Sequence, residues 1–220
     1  MKVIKLPPKI TALIFDMDLT LYTNPEYGRV QIDNLVKTAG ACRGLSFEET
    51  SREIENARRA WEVSHNGKKP SLSSIILSWG FTMEDNVAWR EKSYEPEKYL
   101  SRDENLRRAL LELSCFALGV VTNNPVSIAK RTLVCLGVDD CFSAIVGLDT
   151  LMVAKPHRLP FEKIMELLGG CYAKTCVSVG DRYDIDLDIP LEMGMGAIQV
   201  DGVEDVYELP GLLRSAYGQK

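Results

Sequence analysis

The sequence has no apolar run near the roughly 18 residues that a membrane-spanning helix requires. Its one early apolar stretch, Ile10–Phe15, is too short for the apolar segment of a secretory signal. No two cysteines form a CxxC pair. Cys42, Cys115, Cys135, Cys141, Cys171 and Cys176 stand apart, most within apolar stretches such as Leu113–Val121. That spacing argues against a disulfide scaffold or a zinc site and predicts buried thiols in a reducing compartment. Positive charge is also in short supply. Lys and Arg number 26 against 31 Asp and Glu, giving a net charge of −5 and a pI near 5.2. A chain of that balance lacks the basic field of a nucleic-acid binder, although a local basic pocket is compatible with it. There is no internal repeat and no low-complexity segment. These absences predict a soluble, cytoplasmic protein with neither a nucleic-acid polymer nor a membrane as partner, and they leave oligomeric state open.

What is present is an ordinary globular composition, 45% hydrophobic and 26% charged over 220 residues. That is enough for one large domain, or for a core carrying one insertion. Short β-branched runs stop abruptly at polar or glycine residues: Ile10–Phe15 before Asp16, Phe116–Val121 before Thr122, Ser143–Val146 before Gly147, and Thr175–Val179 before Gly180. A fifth, Ala197–Val200, ends at Asp201. Most are separated by segments of helical spacing, the signature of βα units and a parallel sheet covered on both faces. The expected fold is therefore α/β, with working residues beyond the carboxyl ends of the strands.

The first connection breaks the rhythm, because about 100 residues separate the first two strands, far more than a crossover needs. Ser46–Glu49 is a capping box that predicts a helix to about Trp61, and Thr82–Asp85 predicts another to about Ser93. Val30–Thr38 has helical spacing, His65–Ser71 reads as a loop, and Pro96 marks a boundary before a core helix over Asp103–Leu113. The expected organisation is a helical domain over 24–98 inserted into a core made of 1–23 and 99–220.

The strand ends carry a consistent chemistry. Asp16 and Asp18, two residues apart on an extended chain, lie on one side about 7 Å apart and can divide the work of nucleophile and acid/base. Thr122-Asn123-Asn124 offers a hydroxyl and backbone N–H groups, and Lys155 a cation. Asp181, with Asp184 and Asp186 behind it, adds carboxylates that suit magnesium together with a phosphate. Each feature alone has an ordinary explanation: a turn cap for a lone Asp, a helix N-terminal charge for Asp184, Asp186 and Asp188. Four such features at matching strand ends favour a site.

In this arrangement the chain resembles the haloacid dehalogenase (HAD) superfamily. The segments FDMDLTLY, VVTNN, AKPHRLPF and VGDRYDID follow the family's four motifs in order, and the insertion sits where the family places its helical C1 cap. The resemblance implies a Rossmann-like core and a magnesium-dependent phosphatase acting on a small phosphorylated metabolite. It implies Asp16 as nucleophile and Asp18 as acid and then base. Thr122, Asn123 and Lys155 would hold phosphate, and Asp16, the Asp18 carbonyl and Asp181 would hold the metal. Asp186 fits the family's spacing for the supporting carboxylate, whereas Asp184 is expected to turn to solvent or to Arg182. A second aspartate favours phosphoester hydrolysis over dehalogenation, since an alkoxide must be protonated and a halide need not be. Pyrimidine 5'-nucleotidase-like activity, suggested by the stretch before the second strand, stands as an alternative. A phosphomutase and a catalytically inactive binding module are further ones.

Tyr22, Asn24, Tyr27 and Arg43 are the candidate substrate contacts, with core packing the competing reading for Tyr22 and a helix-end charge for Arg43. His65 and His157 read as loop residues, and Arg58-Arg59 as a solvated helix face. Trp61, Trp79 and Trp89 read as core of the insertion.

Overall fold

The computed structural model describes residues 1–65 and 70–217. Most of the loop expected over His65–Ser71 lies outside them. Six strands form one sheet: β1 Lys2–Lys5, β2 Ala12–Phe15, β3 Ala117–Val121, β4 Ala144–Val146, β5 Cys176–Gly180 and β6 Gly196–Gln199. Their order is β1-β6-β5-β2-β3-β4. The five expected strands pair in parallel, and β1 adds an antiparallel edge on β6. The expected parallel sheet is present, and β1 is an addition to it. The edge strand escapes sequence reading because its side chains are largely exposed and only four residues pair.

The central strands are hydrophobic on both faces, as burial on two sides demands. Phe15, Leu13, Val120 and Val177 pack on one face with Leu106, Leu110 and Leu209. Ile14, Ala12 and Val121 pack on the other with Phe161 and Ile164. The chain runs outward from β2 through β3 to β4, then returns to β5 on the other side of β2. The reversal opens a crevice at the carboxyl ends of β2 and β5, where such folds place their ligands.

Among the described residues, four helices lie between β2 and the 3-10 turn Pro96–Lys98: α1 Pro25–Arg43, α2 Phe47–Ser64, α3 Leu72–Ser78 and α4 Met83–Ser93. Both expected capping boxes form, with Ser46 and Glu49 bonding reciprocally at α2 and Thr82 and Asp85 at α4. α1 is longer than its apolar spacing indicates. Asn24 caps it, with its Oδ1 accepting the Tyr27 N–H at 2.9 Å, and Pro25 takes the first turn. Gly44, at φ 70°, ends it in the left-handed conformation. The short α3, capped by Ser71, was not expected. Val36, Ile54 and Ile75 form an apolar centre between these helices. Leu35, Ala39, Ile76 and Tyr94 form a second one that also receives Ile128.

The return to the sheet begins with α5 Glu104–Glu112. α6 Val126–Leu136, α7 Leu148–Leu151 and α8 Arg158–Leu167 follow, then α9 Asp188–Glu192 and α10 Val203–Tyr217. No helix among the described residues is long and apolar enough to cross a membrane. All six cysteines are free, but only Cys176 is buried; Cys42 and Cys115 are exposed, which corrects the expectation of buried thiols.

Candidate active site

Asp16 leaves the end of β2, with its backbone N–H held by the Val179 carbonyl of β5 at 2.8 Å. The chain then turns at once, as the Leu21 N–H bonds back to the Met17 carbonyl at 2.9 Å. Leu19 takes φ 59°, unusual for a side-chain-bearing residue. The tight turn presents both Asp16 and Asp18 to one cavity of about 250 Å³ between the sheet and the helical insertion.

Lys155 reaches the same cavity from the segment before α8. Its ammonium lies 2.6 Å from Asp16 Oδ1 and 2.6 Å from Asp186 Oδ1, and its side chain is 3% exposed. Burial alone would lower the lysine pKa, but Asp16 and Asp186 outweigh it and hold the ammonium above its ordinary value. Asn123 fixes this arm. Its Oδ1 accepts the Lys155 N–H at 2.6 Å and its Nδ2 donates to the Lys155 carbonyl at 3.1 Å.

Asp186 comes from a π-helical turn, Tyr183–Leu187, directly after β5. The turn folds back so closely that a Cβ on Gly180 would stand 2.5 Å from the Asp186 Cβ, so glycine is required there. Ser178 Oγ and the Arg182 N–H secure it by donating to the Asp186 carbonyl and carboxylate at 2.8 and 3.1 Å. Asp184 points away and pairs with Arg182 at 3.1 Å, as expected of the pair.

Asp16, Asp181 and Asp186 each bring one carboxylate oxygen within 4.8 Å of the others. Lys155 pairs with two of these three carboxylates, Asp16 and Asp186. Burial and then Asp186 push Asp16 well above the usual carboxylate range, against the pull of Lys155. The same two causes push Asp181 up to about 7. A hard divalent cation fits this donor set, all oxygen and short of positive charge.

Asp18 is held from two sides. Tyr22 Oη donates to its Oδ1, and Asn124 Nδ2 donates to its Oδ2 at 2.8 Å. Asn124 is itself held by Arg90 of α4, whose Nη1 donates to Asn124 Oδ1 at 3.0 Å. Thr122 is buried and does not line the cavity; its Oγ1 accepts the Asn124 N–H at 3.1 Å and so shapes this loop.

Of the residues expected at the site, Asp16, Asp18, Asn123, Lys155, Asp181 and Asp186 line one cavity. The expected substrate contacts do not. Tyr22 is buried beneath Asp18, and burial followed by the Asp18 charge holds its phenol well above the usual range. Tyr27 is 1% exposed and stacks on Tyr99, with ring centroids 5.1 Å apart, so core packing claims it. Arg43 ends α1 outside the cavity, 2.6 Å from Glu53 and over the Trp79 ring. Asn24 is spent on its cap. Trp61 is exposed and stacks on His65 rather than packing in a core, and His157 caps α8 through the Leu159 N–H.

The insertion instead faces the cavity with Gln31, Arg58, Ser73, Arg90 and Tyr94. Arg58 had read as a solvated helix face. A second cavity of about 300 Å³, between α5, α10 and the amino ends of the strands, holds the Glu112–Arg214 pair and no carboxylate cluster.

The site is thus a carboxylate cluster at the topological switch point of an α/β sheet, covered by helices inserted after β2. The haloacid dehalogenase-like hydrolase family matches residues 13–200, and the chain belongs to that family. Over 176 residues it is 37% identical to a phosphoglycolate phosphatase of Yersinia pestis, covering 66% of this chain and 75% of that one. A phosphoglycolate phosphatase of Colwellia psychrerythraea is 35% identical over 80 residues, and there the match spans only 35% of the relative's length. A glyceraldehyde 3-phosphate phosphatase of Methanocaldococcus jannaschii is 27% identical over 203 residues, covering 87% and 85% of the two chains. In sequence, then, the chain stands with the phosphatases of the family. In fold it is similar to a HAD phosphatase from Thermococcus onnurineus, with a TM-score of 0.62, 20% identity and coverage of 93% and 98%.

Proposed function

We propose that the protein is a metal-dependent phosphomonoesterase for a small phosphorylated metabolite, working through an aspartyl-phosphate, with the insertion over 24–98 as a cap on the core of 1–23 and 99–220. The observation that carries this reading is the placement of Asp16, bridged by Lys155 to Asp186, beside a separately held Asp18 in one cavity.

Asp16 attacks phosphorus, forming an Asp16–phosphorus bond as the bond to the leaving oxygen breaks. Asp18 gives that oxygen its proton, then takes one from the water that attacks the phosphoryl group and frees Asp16. Tyr22 and Asn124 hold the Asp18 carboxyl in place for both tasks. Lys155 supplies a fixed positive charge beside the nucleophile, already oriented by Asn123. Magnesium, held by Asp16, the Asp18 carbonyl and Asp181 with Asp186 in support, would neutralise charge between the nucleophile and the phosphoryl oxygens. Thr122 supports the loop that carries Asn123 and Asn124.

The cavity of about 250 Å³ accommodates a small phosphorylated metabolite. Six free thiols fit a reducing compartment such as the cytoplasm. The test is hydrolysis of p-nitrophenyl phosphate with magnesium and in excess EDTA. Turnover only with the metal is expected. Full activity in EDTA would refute the metal's part, and no turnover of any phosphoester in a broad panel would favour a binding module.

A further inference from the structure

Arg90 is an unusual residue for the place it occupies. It projects from α4 into the cavity, 8% exposed, and every hydrogen bond it makes is to a neutral group. Nε donates to Asn86 Oδ1 at 2.9 Å, Nη1 to Tyr94 Oη at 3.1 Å and to Asn124 Oδ1 at 3.0 Å, and Nη2 to Ser73 Oγ at 3.2 Å. No carboxylate among the described residues forms an ion pair with it. A buried guanidinium is ordinarily paired, because removing its charge from water is costly without a counter-charge. Here the fork is fully oriented, one Nη2 hydrogen remains, and the Ser73 hydroxyl that accepts from Nη2 keeps its own proton to donate. The unspent Nη2 hydrogen and the Ser73 hydroxyl together offer an anion two donors beside a fixed positive charge.

We propose that Arg90, with Ser73, forms a second anion subsite on the leaving-group side of the cavity, and that the substrate is a two- or three-carbon phosphate monoester bearing a carboxylate. The proposal rests on the phosphatase reading above and narrows it. Distance sets the size of the substrate. Asn124 bridges Arg90 and Asp18, accepting from Arg90 Nη1 at 3.0 Å and donating to Asp18 Oδ2 at 2.8 Å. Across that amide and the guanidinium itself, the unspent Arg90 Nη2 and Asp18 Oδ2 are at most about 10 Å apart. A leaving oxygen on Asp18 and a carboxylate on Arg90 are then joined by one or two further carbons. The small cavity volume agrees.

The relatives divide on this point, since one named substrate, phosphoglycolate, carries a carboxylate and the other, glyceraldehyde 3-phosphate, carries an aldehyde. The cation in this cavity favours the acid. A neutral analogue leaves the buried charge without its counter-ion, and such a mismatch discriminates strongly.

The experiment compares matched pairs with magnesium: 2-phosphoglycolate against ethyl phosphate, and 3-phosphoglycerate against glyceraldehyde 3-phosphate, for wild type, Arg90→Gln and Arg90→Lys. The expected kcat/KM ratio in wild type favours the acid of at least one pair by on the order of 100-fold. Arg90→Gln collapses that ratio towards unity, mainly through KM, and Arg90→Lys restores part of it. The ratio is the readout because an effect passed through Asn124 to Asp18 slows both members of a pair alike. Equal losses on acid and neutral substrate in Arg90→Gln would overturn the subsite, as would a wild type without preference for the acid. The wild-type preference needs no variant, so a poorly folded Arg90→Gln does not rescue the idea. If wild type hydrolyses neither these esters nor p-nitrophenyl phosphate, the phosphatase reading fails and takes the subsite with it; turnover without preference overturns the subsite alone.

Discussion

Removing the Lys155 ammonium exposes how the site is held together. In Lys155→Met, Asp16, Asp181 and Asp186 keep their positions within 4.8 Å but lose the one cation that bridges two of them at 2.6 Å. Breaking a buried ion pair by deleting one partner costs about 3–5 kcal/mol, since the other is left without compensation. For a chain of this length each kcal/mol lowers Tm by about 2–4 °C, so the metal-free variant should melt about 6–20 °C below wild type at pH 8. The pH dependence follows from the sign of the shifts. Asp16 and Asp181 already sit above their unfolded values, Asp181 at about 7. Such groups bind more protons folded than unfolded, so their burden on stability grows as pH rises from about 4 through about 7. Without Lys155 their shifts rise further, and protonation at pH 5.5 relieves the repulsion. Lys155 itself stays charged across this window, its folded pKa being raised. Thermal unfolding in EDTA at pH 5.5 and pH 8 is the assay, and the gap between the proteins should be wider at pH 8. A variant as stable as wild type at pH 8, or a gap that widens on acidification, would refute the reasoning.

Asn124→Ala should leave p-nitrophenyl phosphate turnover within about threefold while slowing an alkyl phosphate about 10–100-fold, because only the poor leaving group depends on a well-held Asp18; equal slowing of both would dissociate Asn124 from the acid step. Magnesium affinity, followed by titration calorimetry, should weaken about tenfold per pH unit below about 7, where a proton on Asp181 competes with the ion. A flat affinity between pH 5.5 and 7 would remove Asp181 from the metal site. Arg43→Ala should cost about 1 kcal/mol of stability, from a half-exposed ion pair and a ring contact. It should leave the ranking of substrates unchanged, as steady-state kinetics on the two matched pairs would show.

The parts of this molecule that were legible in the sequence are those whose chemistry is local. A β-branched run ending in Asp16, Thr122 or Gly180 marks a strand and its carboxyl end together, and a capping box needs only four residues. The acidic cluster followed because strand ends of one sheet converge. What escaped depends on distant partners. Tyr27 sits beside the first motif, yet stacking on Tyr99, far along the chain, turns it into core. Arg43 was misplaced because nothing local reveals that Glu53 and Trp79 wait beside it. Arg90 lies in an ordinary polar helix, and its importance arises only when α4 brings it against Asn124. Asn124 had a signal, its place in the VVTNN segment, but its reach to Asp18 is a tertiary fact. α3 was hidden because its seven residues, three of them serine, show too little periodicity.

The central claim is that Asp16, and not Asp18, carries the phosphoryl group. Rapid acid quench of the enzyme turning over a phosphoester with magnesium, followed by peptide mapping of the trapped acyl phosphate, tests it directly. Phosphoryl on Asp16 is expected, accumulating further in Asp18→Asn with p-nitrophenyl phosphate, whose leaving group needs no proton, so that only the water attack is slowed. Phosphoryl trapped on Asp18, or an enzyme that turns over rapidly while Asp16 is replaced by Asn, would contradict it.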